Sequence, residues 1–170
     1  MLGFITTRGR GASDRLLFRL AAGLRADGLS LAGAVQDNPE RDPNRRCDME
    51  LHVLNGADVI RISQNLGAAS RGCRLDPAGL EQVVGLVGAA LESSPDLVIV
   101  NKFGKQEMEG RGFRPVIAEA LLRGIPVLTA VNDRNLPAFL AFAGDLAERI
   151  APTPEAAHAW CLRAVGRQAA

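Results

Sequence analysis

The sequence has no tyrosine, one tryptophan and six phenylalanines, so aromatic residues make up 4% of its 170 positions. With so few aromatics, and none interleaved with basic residues, it offers no platform for stacked bases, and nucleic acid is not an expected partner. Excess charge of either sign is missing too: 20 Lys and Arg against 19 Asp and Glu leave a formal net charge of +1. No global field draws such a chain to nucleic acid or to a membrane surface, so any anion site has to be local. Its three cysteines, Cys47, Cys73 and Cys161, form no CxxC pair. An odd, unpaired set argues against a disulfide framework or a zinc ribbon and predicts reduced thiols. The two histidines, His52 and His158, are not spaced with Cys or acid for zinc, and no metal site is expected. No apolar run approaches the roughly 20 residues of a membrane span, and the apolar start Met1 to Thr7 is too short for a signal peptide. The expectation is a cytoplasmic protein without membrane insertion.

What the sequence does contain is core-forming material: 47% of its residues are hydrophobic, enough for one domain over 1–170. Leu2 to Thr6 reads as a strand, and Asp14 to Ala26 as a helix with Leu16, Leu17, Leu20, Ala21 and Leu24 at helical spacing, Ser13 as N-cap and Gly28 as terminator. Leu29 to Gln36 reads as the next strand, and this β-loop-α-β order favours a parallel sheet with right-handed crossovers. Asp37 to Arg46 has almost nothing to bury and reads as a mobile loop. Asp48 to Val53 and Asp58 to Ile62, joined through Asn55-Gly56, predict an antiparallel hairpin, an insertion over about 47–63. Asp76 and Pro77 mark a helix start, and Leu80, Val83, Val84, Val87, Ala90 and Leu91 are its buried stripe. Leu97 to Val100 suits a strand buried on both faces. A helix from Pro115 to Gly124, a strand over Ile125 to Val131, a helix near Leu136 to Phe142, an edge strand around Glu148 to Ala151 and a terminal helix opened by Thr153 complete the reading. The fold class is α/β, a three-layer domain with a mostly parallel sheet.

Parallel strands bring their following loops to one edge, where ligands bind in open α/β sheets. The first loop offers Thr7, Arg8, Gly9, Arg10, Gly11, Ala12, Ser13 and Asp14, Gly-rich and running into a helix N-terminus that favours an anion. The second follows Val100 with Asn101, Lys102, Lys105, Glu107 and Arg111, and the third carries Asn132 and Arg134. The hairpin and the segment after it add Arg61, Ser63, Gln64, Cys73 and Arg74. Concentration of these cations in loops, rather than along helix faces, is the reason to expect convergence. Arg71 and Arg74 beside Cys73 suit a lowered thiol pKa, although a buried inert thiol fits the same residues. Glu107 and Glu109 read most simply as ion-pair partners of Lys105 and Arg111. The phosphate-loop pattern G-x-x-x-x-G-K-[ST] requires a Lys for the phosphates and a hydroxyl for Mg²⁺. Laid on that pattern by its Leu16-Leu17 pair, the first loop has Ala12 at the second Gly, Ser13 at the Lys and Asp14 at the hydroxyl. The strand that would end in a metal-holding Asp ends in Asn101-Lys102, and both halves of the magnesium-nucleotide apparatus are changed together.

The segments Arg61-Ile-Ser-Gln-Asn-Leu-Gly67, Gly72-Cys-Arg-Leu-Asp-Pro77, Leu97-Val-Ile-Val-Asn-Lys-Phe-Gly-Lys-Gln-Glu-Met-Glu-Gly-Arg-Gly-Phe113 and Gly124-Ile-Pro-Val-Leu-Thr-Ala-Val131 resemble a bacterial family, domain of unknown function 2478, over nearly the whole chain. Some members carry molybdenum-transport labels, and the resemblance therefore implies an oxyanion connection. More distantly, the element order is similar to the small cancer-related nucleoside-triphosphatase family of P-loop proteins. That family's Asp-Glu-Ile-Gly-Lys-Met-Glu lies without a gap against Asn101 to Glu107: Lys105 and Glu107 match, and Asn101 and Lys102 replace the acids. The resemblance implies its fold; the hydrolase activity falls on the positions that differ.

Together these readings predict a non-hydrolysing binder of a small oxyanion (molybdate, tungstate or a phosphate-like ion) or of a phosphate-bearing ligand, built on a degenerate P-loop. No cofactor is expected beyond molybdate or tungstate as bound ligand. A divergent Mg-dependent nucleoside-triphosphatase, with Lys102 or Lys105 supplying the phosphate contact, is one alternative. An oligomeric adaptor for molybdenum transport or cofactor assembly is the other, with Trp160, Phe139 and Phe142 as contact residues, although these aromatics read first as core. A homo-oligomer fits any of the three.

Overall fold

Strands that are apolar at every position have to be covered on both faces, and that requirement organises the molecule. The computed structural model describes residues 1–39, 48–66 and 74–166. It places β1 (Leu2–Ile5), β2 (Leu31–Asp37), β3 (Glu50–Val53), β4 (Val59–Arg61), β5 (Leu97–Phe103), β6 (Val127–Val131) and β7 (Ala147–Ile150) in one sheet. Their spatial order is β4-β3-β2-β5-β6-β1-β7. From β2 through β7 the pairs are parallel, whereas β2-β3 and β3-β4 are antiparallel. The expected hairpin is therefore present, and it extends one edge of a mostly parallel sheet.

The helices are α1 (Ala12–Ala26), α2 (Pro77–Ala90), α3 (Lys105–Met108), α4 (Arg114–Leu122), α5 (Leu136–Ala143) and α6 (Pro154–Ala164). On one face Leu17, Leu20 and Leu24 of α1, with Trp160 and Cys161 of α6, cover Leu31, Leu97, Ile99 and Leu128. On the other, Leu80 and Val83 of α2, Ile117 of α4 and Phe139 of α5 cover Val98, Val100 and Val127. Each fully buried aliphatic or aromatic side chain contributes about 1.5 to 3 kcal/mol, so two complete cores hold the sheet. Burial pushes the Cys161 thiol up to about 12, which leaves it inert.

Trp160 is buried and donates Nε1-H to Glu148 Oε2 at 2.9 Å. Phe139 packs edge-on against Phe103, and the half-buried Phe142 stacks on the same ring. Trp160 and Phe139 are core residues and Phe142 packs partly buried against the core that contains Phe139, the reading favoured from sequence over an adaptor's contact surface. Among the described residues no helix is long and apolar enough to cross a membrane.

Local signals explain most boundaries. Asp76 Oδ1 accepts from Ala78 N at 3.0 Å with Pro77 in the first turn, and Thr153 Oγ1 accepts from Ala156 N at 3.2 Å. Gly28 N and Leu29 N close the end of α1 on Arg25 O and Leu24 O.

Most other boundaries shift by one or two residues, and three differences from expectation bear on the site. Ser13 lies inside the first turn of α1 and is not its cap; the cap is Gly11, held at φ 70°, whose carbonyl accepts from Arg15 N. Glycine is favoured there because a Cβ strains the left-handed region. β5 does not stop at Val100 but continues through Asn101 and Lys102 to Phe103. The one-turn helix α3 has no sequence signal, since four residues are too few to show a period. The loop expected at Asp37 to Arg46 falls mainly outside the described residues, as do Cys47, Arg71 and Cys73.

Candidate functional site

The carboxyl ends of β1, β2, β5 and β6 emerge together, and the polar ends of β2 and β5 meet the start of α1 there. Asp14, Gln36 and Asn101 are all buried. Asn101 Nδ2 donates to Asp14 Oδ1 at 2.8 Å, Asn38 Nδ2 donates to Asp14 Oδ2 at 2.9 Å, and Lys102 Nζ lies 3.3 Å from Asp14 Oδ1. Asn101 Oδ1 accepts from the backbone N of Gln36 at 2.9 Å, and Gln36 Nε2 donates to Asn38 Oδ1 at 2.7 Å. One amide thus ties β5 to β2 and to α1. Strict alternation along β5 would send Lys102 to the face shared by Val98 and Val100. A pairing irregularity between Val100 and Phe103 gives that place to Phe103 and leaves Lys102 beside Asp14.

This corner does not fit the magnesium ion implied by a P-loop fold. Mg²⁺ requires unencumbered hard oxygen donors in near-octahedral array. Asp14 is the acid here, both of its oxygens already accept from side chains, and Asn101 turns its NH₂ toward the same carboxylate. Lys102 brings a fixed positive charge to this carboxylate, where a metal would bring its own. Among the described residues no group of three His, Cys, Asp or Glu side chains is arranged to hold a metal.

Beside the corner opens a cavity of about 380 Å³. Arg10, Arg74, Lys102 and Lys105 supply its cations, and Gln36, Asn101 and Gln106 its neutral polar groups. Met49 and Leu51 from the hairpin, Ile62, Leu75, Leu80 from α2, and Phe113 form an apolar floor. Volume, apolar lining and a few convergent polar groups are the usual attributes of a small-molecule site.

The family described as protein of unknown function, DUF2478, matches residues 2–160. This chain belongs to DUF2478. The molybdenum import ATP-binding protein ModC 2 of Bradyrhizobium diazoefficiens is 35% identical over 147 residues, which are 86% of this chain but 16% of that protein. The chain thus spans about a sixth of that relative's length. The crystal structure of THEP1 from the hyperthermophile Aquifex aeolicus is similar with a TM-score of 0.66 and 15% identity, covering 91% of each chain. At that identity the likeness shows the fold, which is of the P-loop NTPase type.

In this DUF2478 chain the other residues singled out from sequence divide clearly. Of the first loop only Arg10 reaches the cavity; Arg8 and Gly9 are exposed, and Thr7, Ala12 and Ser13 are half-buried at the loop and the start of α1. Glu107 borders the cavity, yet its carboxylate is directed at the backbone, Oε2 accepting from Gly104 N at 2.8 Å and Oε1 from Phe113 N at 2.9 Å. Burial pushes this carboxyl above the usual carboxylate range, and those two N-H groups oppose the shift. Gly112, at φ 58°, lies so close that a Cβ there would run into Glu107 Oε1. Glu107 is therefore not the partner of Lys105; Glu109 is, with Arg111 on its other side.

Arg111 borders a separate depression with Pro77 and Glu81. Arg61 pairs with Asp48 at 3.0 Å and Ser63 Oγ accepts from Met49 N, contacts that close the hairpin, and Gln64 N donates to Arg74 O, tying the segment after it to the approach to α2. Asn132 Oδ1 accepts from Asn135 N at 2.8 Å and shapes the turn after β6, where Arg134 is exposed. His52 packs edge-on against Phe18, and His158 Nε2 lies 2.6 Å from Asp27 Oδ2 at the surface. Cys73 lies outside the described residues. Sequence reasoning missed Gln36, Asn38 and the apolar floor. Gln36, polar at the end of an otherwise apolar strand, was the available signal.

Proposed function

We propose that this protein binds a small oxyanion or a phosphate-bearing ligand at the carboxyl edge of its sheet and does not hydrolyse nucleotide with magnesium. The observation that carries this reading is the Asp14, Asn101 and Lys102 triad. Where a magnesium-nucleotide site needs a free acid, it has a carboxylate already bound by two amides and an ammonium. Around it, Arg10, Lys102 and Lys105 give the cavity an excess of positive charge over the shielded Glu107. Charge-assisted hydrogen bonds from such groups are the strong ones for phosphate-like oxygens. The name of the Bradyrhizobium relative favours molybdate or tungstate among inorganic candidates.

Isothermal titration of the purified protein with molybdate, tungstate, phosphate and ATP, each with magnesium and with EDTA, tests the reading. Anion binding that is indifferent to magnesium, without phosphate release, is expected. No binding at millimolar ligand would sink it. Magnesium-dependent phosphate release that disappears in Lys102→Ala and Lys105→Ala would replace it with a divergent nucleoside-triphosphatase. The same relative favours one second reading, an accessory role beside a molybdenum import system. Failure of the protein to associate with such a transporter's ATP-binding subunit on a sizing column would count against that role.

A further inference from the structure

We infer that the ligand of this cavity is an amphipathic organic anion, a phosphate monoester whose apolar body of about one fused ring pair lies against the hairpin and α2; this rests on the anion-binding reading above. A space of about 380 Å³ has room for on the order of ten waters at their liquid volume. A four-oxygen anion displaces only a few of them, leaving the partly exposed Met49 and Leu75 wetted. Met49, Leu51, Ile62, Leu75, Leu80 and Phe113 come from five separate places in the chain and converge on this one surface. Burying that surface against an apolar body is favourable in proportion to the area removed from water.

Three of the four cations come from the carboxyl edge of the sheet. Lys102 and Lys105 both follow from the end of β5, and Arg10 comes from the loop after β1, which gives a charged headgroup its place, while the fourth cation, Arg74, adjoins Leu75 among the apolar lining. A nucleoside body suits the floor poorly, since its ring nitrogens and ribose hydroxyls would face six side chains that have no hydrogen-bonding partner to offer beyond a thioether. An aromatic or alicyclic hydrocarbon body meets no such penalty.

A probe series with one headgroup and a growing body decides the point: inorganic phosphate, methyl phosphate, phenyl phosphate and 1-naphthyl phosphate, with neutral 1-naphthol as the uncharged control, all by titration calorimetry. Affinity is expected to rise at least tenfold from inorganic phosphate to 1-naphthyl phosphate, with 1-naphthol weaker than its phosphate. The ratio of naphthyl to inorganic affinity is expected to fall at least fivefold in Met49→Gln, whereas Lys102→Met lowers the affinity of both. Met49 and Leu75 are only partly buried, so Leu75→Gln carries the same readout if Met49→Gln fails to fold. Inorganic phosphate binding as tightly as the naphthyl ester overturns the inference and leaves the anion-binding reading standing. Naphthol binding as tightly as its phosphate, or no phosphate binding at all, overturns both.

Discussion

Two buried carboxylates, Asp14 and Glu107, stand at the same edge of the sheet, and their partners differ in kind. Asp14 is held by side chains: the amides of Asn38 and Asn101 and the ammonium of Lys102. Glu107 is held by backbone N-H groups of its own loop, Gly104 and Phe113. Backbone partners fix a loop conformation whatever the neighbouring side chains are. Side-chain partners can be exchanged in evolution, and their identities set the charge presented to a ligand. Glu107 therefore reads as a clamp that shapes the cavity, and the Asp14 corner as the place where its chemistry is decided.

The largest effect expected from breaking this contrast is at Asn101. Asn101→Asp sets a second carboxylate against Asp14 where an N-H donor stood at 2.8 Å, and a cost of about 3 kcal/mol in urea unfolding is expected at pH 7. Transposing the pair, Asp14→Asn with Asn101→Asp, restores one donor facing one acceptor and is expected to recover at least half of that loss. If Asn101→Asp unfolds like the wild type, the corner is not the closed network described.

A smaller cost is expected at the clamp. Glu107→Gln keeps the shape but turns one N-H acceptor into a donor, for a loss of about 1 to 2 kcal/mol. The pH dependence sharpens the contrast. Glu107 has a folded pKa above its ordinary value of 4.5, so between the two the folded state binds the proton more tightly than the unfolded chain. Its contribution to stability is favourable at low pH and falls as pH rises through that window. Urea midpoints measured from pH 4 to 7 should show this decline in the wild type and lack it in Glu107→Gln.

The smallest stability effect is expected at Lys102, whose side chain is 47% exposed. Lys102→Met should cost below about 1 kcal/mol in unfolding while anion affinity drops about tenfold. Equal affinity for molybdate and phosphate in the variant and the wild type would remove Lys102 from the ligand's surroundings.

Much of this architecture is legible residue by residue. Leu97 to Val100 is apolar at every position, Asn55-Gly56 marks the hairpin, and Asp76-Pro77 marks the start of α2, each a signal carried within a few neighbours. The site is legible only in part. Asn101, Lys102, Lys105 and Arg10 stand out as polar residues at the ends of strands, and the structure brings them to one cavity. Arg61, Ser63, Arg111, Asn132 and Arg134 look alike in sequence, but local ion pairs, turns and loop closure occupy them or direct them elsewhere.

The sequence by itself determined the parallel sheet, the caps of α2 and α6, and the replacement of the expected acids by Asn101 and Lys102. These follow from continuous apolar runs in β-loop-α-β order, capping chemistry and identity at a strand end, which are local properties of the chain. Only the tertiary structure decided that Asp14 supplies the carboxylate missing at Asn101, that Lys102 turns toward it, and that hairpin and helix floor a cavity beside it. Asp14 and Asn101 lie 87 residues apart, and their contact depends on the order of β2 and β5 in the sheet and on a pairing irregularity at the end of β5. No local period encodes such a contact, because it arises when separate elements pack and each buried polar group must find a partner.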